Sequence, residues 1–278
     1  WPKAFRIHRL PLFLEGFVHQ MRVEQNPMAA GELFNKIRSS ELFDRKLKMY
    51  KVNACLDSES EMIGRTRIFP RGWLENESIW LHMEYKYLLE LLRQGLYEKF
   101  FMSFKQVLIP FQPPDRYGRS TLENSSFLVS SAHSDKSLHG QGFVARLSGS
   151  TAEFVQIWAW MGAGLQPFCH DQKRGLSLIF KPILPGWLFT RRGSVVEYVN
   201  PGGTRQTIEF PANIYAFMFL GKVLVVYHNP KRKNTFDGLA SQEITLTYLS
   251  GKVQKVNGAE IPMPYSQDVR ERKVERID

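Results

Sequence analysis

The sequence predicts an α+β protein in two parts: a helical part over residues 1–168 and an antiparallel β-sandwich-like domain over residues 169–278. Two observations predict this order. Apolar residues recur at helical spacing in the first part, whereas after Leu165 they form short β-rich runs separated by turn signals. The hydrophobic content of 43% is that of a chain with a folded core, so a disordered protein is not expected.

Two helices are predicted near the start of the chain. The segment "LFLEGFVHQMRVEQ" (12–25) places Phe13, Phe17 and Met21 on one face at four-residue spacing. A second helix is predicted for "AAGELFNKIRSS" (29–40), after the proline that ends the first.

The strongest helix pattern is "ESIWLHMEYKYLLELLRQG" (77–95), which Gly95 ends. Its wide apolar stripe consists of Ile79, Trp80, Met83, Tyr87, Leu88, Leu91 and Leu92. Further helices are predicted for "LYEKFFMSFKQVL" (96–108) and "STAEFVQIWAWMGAG" (150–164). Between them, residues 110–142 form a long segment rich in Pro, Ser, Asn and Gly, and loops of this length are often functional.

The second part contains seven short runs of β-forming residues, about ten residues apart, which predict a sandwich or barrel. They are "LSLIFKP", "SVVEYVN", "RQTIEF", "IYAFMFL", "KVLVVYH", "EITLTYL" and "KVQKV".

The net charge of +10 fits an anionic ligand or a nucleic acid. The basic runs "KRKN" (231–234) and "RERKVER" (270–276) are short and lack interleaved aromatic residues, so we do not expect nucleic-acid binding. No apolar run reaches the about 18 residues of a membrane span, and no signal peptide opens the chain. We therefore expect a cytoplasmic protein that does not bind a membrane.

The sequence predicts no bound metal. Cys55 and Cys169 form neither a disulfide framework nor a Cys-x-x-Cys pair. His133 and His139 flank Asp135 but lack a companion cluster of ligands.

The segment "ARLSGSTAEF" (145–154) has two interpretations. Ser150 followed by Glu153 matches the capping box that begins a helix, so an ordinary capped helix accounts for the pattern. Ser148 and Gly149 lie immediately before that helix, where free backbone N–H groups and the positive end of the helix dipole form a site for phosphate or sulfate.

Two further segments carry polar residues in patterns that suit sugar binding or helix capping. Glu75, Asn76 and Glu77 precede the helix that carries His82, and they either cap it or take part in acid–base chemistry or sugar hydrogen bonding. The segment 118–142 contains Glu123 close to Phe127 and is either a solvated loop or part of a sugar site.

Taken in order, these motifs resemble the C-terminal half of the inverting glycoside phosphorylases, the family of cellobiose and chitobiose phosphorylases (glycoside hydrolase family 94). The matching segments over about residues 10–200 are "ENESIWLH", "LENSSF", "RLSGSTA" and "LSLIFKPILPGW". The resemblance implies the C-terminal part of an (α/α)6 barrel followed by a β-sandwich-like domain.

The resemblance also implies roles for individual residues. His82, Ser148 and Gly149 would bind phosphate, and Glu123 and Phe127 would belong to the acceptor-sugar subsite. Glu75 and Asn76 are further candidate sugar-binding residues, because they are polar and immediately precede the helix that carries His82. The family's tryptophan before the "L-T-G" segment is Arg146 here, and "LH" replaces its "NH".

The implied reaction is phosphorolysis of a β-glucoside disaccharide with inversion, giving a sugar 1-phosphate. Inorganic phosphate is the co-substrate and no cofactor is expected. The general acid, an Asp in the family, has no counterpart here and is expected upstream of Trp1. Open alternatives are an inverting hydrolase with Glu75, Glu77 or Glu123 as base, and a non-catalytic carbohydrate-binding or structural module. The oligomeric state is open, with a homodimer as one candidate.

Overall fold

The computed structural model describes residues 3–5, 7–144, 149–199 and 203–278. They divide into two compact units, Trp1–Ile157 and Trp158–Asp278, so the division falls somewhat before the boundary expected at residue 168. The α-helices of the described residues are α1 (Leu14–Val23), α2 (Pro27–Ser39), α3 (Leu81–Arg93), α4 (Tyr97–Val107), α5 (Pro114–Tyr117), α6 (Gly149–Ala163) and α7 (Tyr265–Arg270).

The first unit contains short strands only, whereas most strands of the second unit are four to six residues long. In the first unit they are β1 (Phe43–Asp44), β2 (Met49–Tyr50), β3 (Ile79–Trp80), β4 (Phe127–Leu128) and β5 (Gly142–Phe143). In the second they are β6 (Phe168–Asp171), β7 (Gly175–Ile179), β8 (Ser194–Val199), β9 (Arg205–Phe210), β10 (Ile214–Phe219), β11 (Val223–His228), β12 (Glu243–Tyr248), β13 (Val253–Asn257), β14 (Glu260–Ile261) and β15 (Val274–Ile277). The α+β class is therefore confirmed. The described helices form no closed barrel by themselves.

Helix α3 is the centre of the first unit because it is buried on nearly every side. Helices α1 and α4 both pack against it. The buried carboxylate of Glu90 on α3 is held by Arg22 of α1, at 2.6 Å from Nη2, and by Arg93, at 3.0 Å from Nε. This pairing compensates the cost of burying the charge and links α1 to α3.

The predicted face of α1 is correct for Met21 and displaced by one residue at the other two positions. The helix buries Leu14, Val18 and Met21, while Phe13 is 42% exposed and Phe17 only partly buried. Phe13 precedes the helix and forms a β-bridge with Asn53, so the helical spacing does not apply to it.

The predicted stripe of α3 is buried as expected, but the helix begins four residues late. Glu77 has a positive φ of 57°, which a helix does not allow, and Ile79 and Trp80 form a strand. The predicted start of the helix at residue 77 is therefore wrong.

In the second unit, a five-stranded sheet has the order β10-β11-β15-β12-β13 and a three-stranded sheet the order β14-β7-β6. Residues of both sheets form one buried cluster, as expected for a sandwich. Among its members are Leu178, Val225, Leu246, Ile261 and Ile277. The seven predicted strands are all present.

The larger sheet is not wholly antiparallel, because β15 pairs parallel with β11 and antiparallel with β12. Strand β15 lies in a segment that looks basic and polar, and the sequence did not predict it. Strands β8 and β9 form a separate hairpin beside the sheet. Its Tyr198 and Ile208 pack against a second small cluster that includes Ile214 and Val226.

No helix among the described residues combines the length and the apolar character that a membrane span requires.

One carboxyl group in the core of the first unit has no charged partner among the described residues. Glu84 of α3 is fully buried, and its Oε1 accepts the backbone N–H of Tyr50 at 2.7 Å, while Oε2 has no described partner. Burial raises the pKa of Glu84 well above its usual range, the hydrogen bond from Tyr50 lowers it, and the charge of Asp44 raises it. The folded protein therefore keeps this proton at pH values where the unfolded chain has released it.

We expect the substitution Glu84→Gln to stabilise the protein at alkaline pH. The stability contributed by a group with a raised folded-state pKa is fully present below the unfolded pKa of about 4.3 and is lost as the pH rises towards the folded pKa. Glutamine does not titrate and avoids this loss. Urea unfolding at about pH 4 and pH 8 measures the effect. Equal differences between variant and wild type at both pH values would contradict the assignment.

In the second unit, Gly186 lies against the backbone of residue 232. A Cβ at this position would overlap the carbonyl oxygen of Arg232, whereas a Cβ at Gly193 would lie 3.1 Å from the carbonyl oxygen of Phe210. We expect Gly186→Ala to lower the free energy of unfolding by about 2–3 kcal/mol, because backbone must move. Gly193→Ala is the graded control and should cost less. Chemical denaturation measures both, and an equal cost for the two would refute the explanation.

Candidate functional site

Three segments that are far apart in the sequence meet in the small sheet of the first unit. Its order is β3-β4-β5, with Trp80 paired to Phe127 and Phe127 paired to Phe143. These strands belong to the segments "IWLH" and "LENSSF" and to the residues that lead into "RLSGSTA". The segments "IWLH" and "LENSSF" are therefore neighbours in space.

The sheet places His82 at the beginning of α3. Strand β3 ends at Trp80, the helix starts at Leu81, and the backbone N–H of Leu81 donates to the carbonyl of Ser126 at 3.1 Å. The strand β3 and this hydrogen bond to Ser126 thus hold the backbone immediately before His82. Its ring packs edge-on against Trp80, with ring centroids 5.6 Å apart.

His82 lies against the first residue of α6. A Cβ at Gly149 would lie 3.2 Å from Cβ and 3.6 Å from Cγ of His82, so glycine permits the close approach of this backbone to the histidine. A histidine and the amino end of a fifteen-residue helix are thus in direct contact.

The environment of His82 favours the neutral imidazole. Burial lowers the pKa of His82, the charge of Lys86 lowers it further, and Glu15 raises it. The neutral ring has one N–H to donate, and an anion bound beside it would restore the tendency to take up a second proton. Lys86 lies one turn after His82 on α3, and its charge is paired with the carboxylate of Glu15, at 3.7 Å between Nζ and Oε1.

The start of α6 differs from the predicted cap. The helix begins at Gly149, so Ser150 is a residue of its first turn and not the residue that precedes it. The Ser150 side chain is 2% exposed, and its Oγ has no hydrogen-bond partner among the described residues. Glu153 likewise leaves Oε2 without a described partner, so the predicted capping box does not form. Ser148 lies outside the described residues.

Tyr85 connects the polar loop to both helices. Its hydroxyl donates to Oδ1 of Asn124 at 2.8 Å, and its ring lies 6.1 Å from that of Phe154 on α6. Asn124 is therefore close to the first turn of α3. No sequence motif marks Tyr85, although it follows His82 by three residues and so lies on the same face of the helix.

Glu123 lies beside Asn124 but is directed to solvent. Its Oε1 accepts Nε of Arg119 at 2.9 Å, and half of its side chain is exposed. This carboxylate is accessible to a ligand.

Phe127 has a packing role in the described structure. It is 2% exposed, and its ring stacks on Trp80 and Phe143 at centroid distances of 5.7 Å each. Trp73 packs edge-on against it at 5.3 Å. A sugar cannot reach this ring without displacing its neighbours, so Phe127 packs in the core against the small sheet and does not line an open surface.

Asn76 and Glu77 stabilise the loop that precedes β3. Asn76 is fully buried and donates to the carbonyl of Phe69 at 2.8 Å. Glu77 is also buried, and its two carboxyl oxygens bind Lys51 at 2.6 Å and Arg71 at 2.5 Å. Burial raises the pKa of Glu77. The hydrogen bonds and positive charges of Arg71 and Lys51 together lower it by more, so the net pKa falls below the usual range.

Glu75 is the most accessible member of the "ENE" motif. Its Oε1 accepts a hydrogen bond from Nη2 of Arg65 at 2.9 Å, and its side chain is 29% exposed. Of the three residues, only Glu75 combines a carboxylate with exposed surface.

The two loop histidines do not form a metal site. Nδ1 of His139 lies 2.7 Å from Nζ of Lys46, and Nε2 lies 2.8 Å from the carbonyl oxygen of His133. Both ring nitrogens of His139 are thereby engaged in the fold. The described residues contain no group of three or more His, Cys, Asp or Glu that could hold a metal ion.

The chain matches no protein-family model, and no curated protein matches it significantly.

We expect Phe127→Leu to lower the free energy of unfolding by about 1–2 kcal/mol, because it removes two ring-stacking contacts from a filled core. Phe143→Leu, which removes a partner from the same stack, should cost a similar amount. Chemical denaturation measures both. If Phe127 instead forms part of a sugar-binding surface, the leucine variant will retain its stability and lose affinity for glucose or cellobiose.

Proposed function

We propose that this chain belongs to a carbohydrate-active enzyme that splits a β-glucoside disaccharide with inorganic phosphate and inverts the anomeric carbon. The alternative is an inverting hydrolase or a carbohydrate-binding module. The single observation that carries the proposal is the contact between His82 and Gly149 at the amino end of α6.

This contact suits a phosphate ion for three reasons. The first backbone N–H groups of a helix have no partner within it, and the helix dipole makes that end positive. A glycine at the first position lets an oxyanion approach the backbone closely. The His82 side chain lies against the same glycine through Cβ and Cγ, and its ring would offer one N–H to a bound anion.

The reaction would be a single displacement. A phosphate oxygen attacks the anomeric carbon from the face opposite the leaving sugar, and the bond from that carbon to the glycosidic oxygen breaks. The bonding electrons pass to the leaving oxygen, which an acid protonates. Phosphate itself is the nucleophile, so the site needs donors and positive charge and no carboxylate base. The proposal assigns no general acid among these 278 residues.

The finer fold follows the same resemblance. We propose that the helices of the first unit form part of an (α/α)6 barrel, with the second unit as its β-sandwich-like companion. The polar loop that Tyr85 holds would then contribute Glu123 to the sugar subsite, and Glu75 would face the same substrate. Phosphate is a co-substrate, and the proposal requires no cofactor.

Calorimetric titration with inorganic phosphate, against chloride at equal ionic strength, tests the anion site. We expect saturable binding with a Kd of about 1 mM or lower. Absence of saturable binding would refute the phosphate site. A second assay follows cleavage of cellobiose with and without phosphate. Cleavage that is equally fast without phosphate would favour the hydrolase, and sugar binding without any phosphate binding would favour the non-catalytic module.

We expect His82→Ala to weaken phosphate binding at least about tenfold, because it removes a hydrogen bond to a charged group. Sugar affinity should be retained. His170→Ala is the matched control, since His170 is an exposed histidine on β6 in the second unit. Titration calorimetry measures both ligands. An unchanged phosphate Kd in the His82 variant would show that this histidine does not bind the anion.

A further inference from the structure

A carboxylate oxygen without a hydrogen-bond partner lies at the same point as His82. Oε2 of Glu153 is buried and makes no hydrogen bond with any described residue. It lies 3.4 Å from the position that a Cβ on Gly149 would occupy, and Cβ of His82 lies 3.2 Å from that position. Glu153 and His82 therefore flank the first residue of α6.

This carboxylate has no evident structural task. Glu153 is the fifth residue of α6, beyond the positions from which a side chain caps the helix start. It forms no ion pair with a described residue. Burying an acceptor that lacks a donor costs folding free energy, and in native proteins such an atom is commonly paired with a water, an ion or a ligand.

A second buried group without a partner lies in the same turn of the helix. Ser150 is almost fully buried, and its Oγ makes no hydrogen bond among the described residues. The first five residues of α6 thus carry one hydroxyl without a partner, which can donate, and one carboxylate oxygen without a partner, which can only accept when ionised.

A carboxylate beside an anion site discriminates between anions that carry a proton and anions that do not. Hydrogen phosphate can donate its hydroxyl to the carboxylate, and the other oxygens can accept from backbone N–H groups, the histidine and the serine. Sulfate has the same charge and shape but no proton near neutral pH. Its oxygen would face the carboxylate oxygen with no hydrogen between them, which is repulsive.

We propose that Glu153 accepts the hydroxyl proton of hydrogen phosphate and thereby makes this site select phosphate over sulfate. The inference rests on the proposed function, because it requires that an oxyanion binds at the amino end of α6, beside His82 and Gly149. It adds a specificity-determining residue and identifies the bound form as the protonated dianion.

The test is a calorimetric titration of the whole chain with phosphate and with sulfate at about pH 8, where both anions are mainly dianions. We expect the wild type to bind phosphate at least about tenfold more tightly than sulfate, as a hydrogen bond to a charged group requires. Glu153→Gln should reduce this ratio to about threefold or less, because the amide can donate to sulfate. The control Glu98→Gln changes an exposed glutamate in the first turn of α4 and should keep the wild-type ratio.

Thermal unfolding checks that each variant is folded. Glu153→Asp keeps the charge but shortens the side chain by one methylene, which moves the carboxylate away from the anion. This variant should therefore lose part of the preference for phosphate over sulfate. If Glu153→Gln does not fold, the aspartate variant decides the question, and an unchanged ratio there overturns the inference. Equal affinity of the wild type for both anions also overturns it and leaves the phosphate site intact. Binding of neither anion would overturn the proposed function itself.

Discussion

The backbone pairing of β3, β4 and β5 is the constraint on which the candidate site depends. These strands are only two residues long, so few hydrogen bonds hold them. Their stability comes from the rings that cover them, since Trp73, Trp80, Phe127 and Phe143 pack together over the sheet. The sheet fixes where α3 begins, and with it the position of His82.

The position of His82 beside the start of α6 also has an electrostatic consequence. The start of α6 has a positive end because its backbone dipoles are aligned. The His82 side chain and a buried oxygen of Glu153 both lie against the first residue of α6, so a donor and an acceptor meet at this end of the helix. A uniformly positive pocket would attract any anion, whereas the proposed site would distinguish among anions by where they carry hydrogen.

The sequence predicts the elements of the second unit well, because alternation along a strand is a local signal. It misses β6, β14 and α7, which are short. It also misses β15, where charged residues surround the buried Val274 and Ile277, and two apolar residues in a four-residue strand are too few to detect. It also fails at the start of α3, where the positive φ of Glu77 overrides a helical pattern. At the site, the meeting of His82 with Gly149 is non-local, so only the order of motifs indicated it. Burial of Phe127 and the missing partners of Ser150 and Glu153 depend on packing that no local pattern contains.

The position of β15 has a consequence for the order in which the second unit folds. The hairpins β10–β11 and β12–β13 can each form from local contacts, but they do not pair with each other and are joined only through residues 274–277. Until residues 274–277 pair with them, β11 and β12 each have one edge without a neighbouring strand. An open edge is a surface at which other chains can pair, so β15 closes two such edges at once.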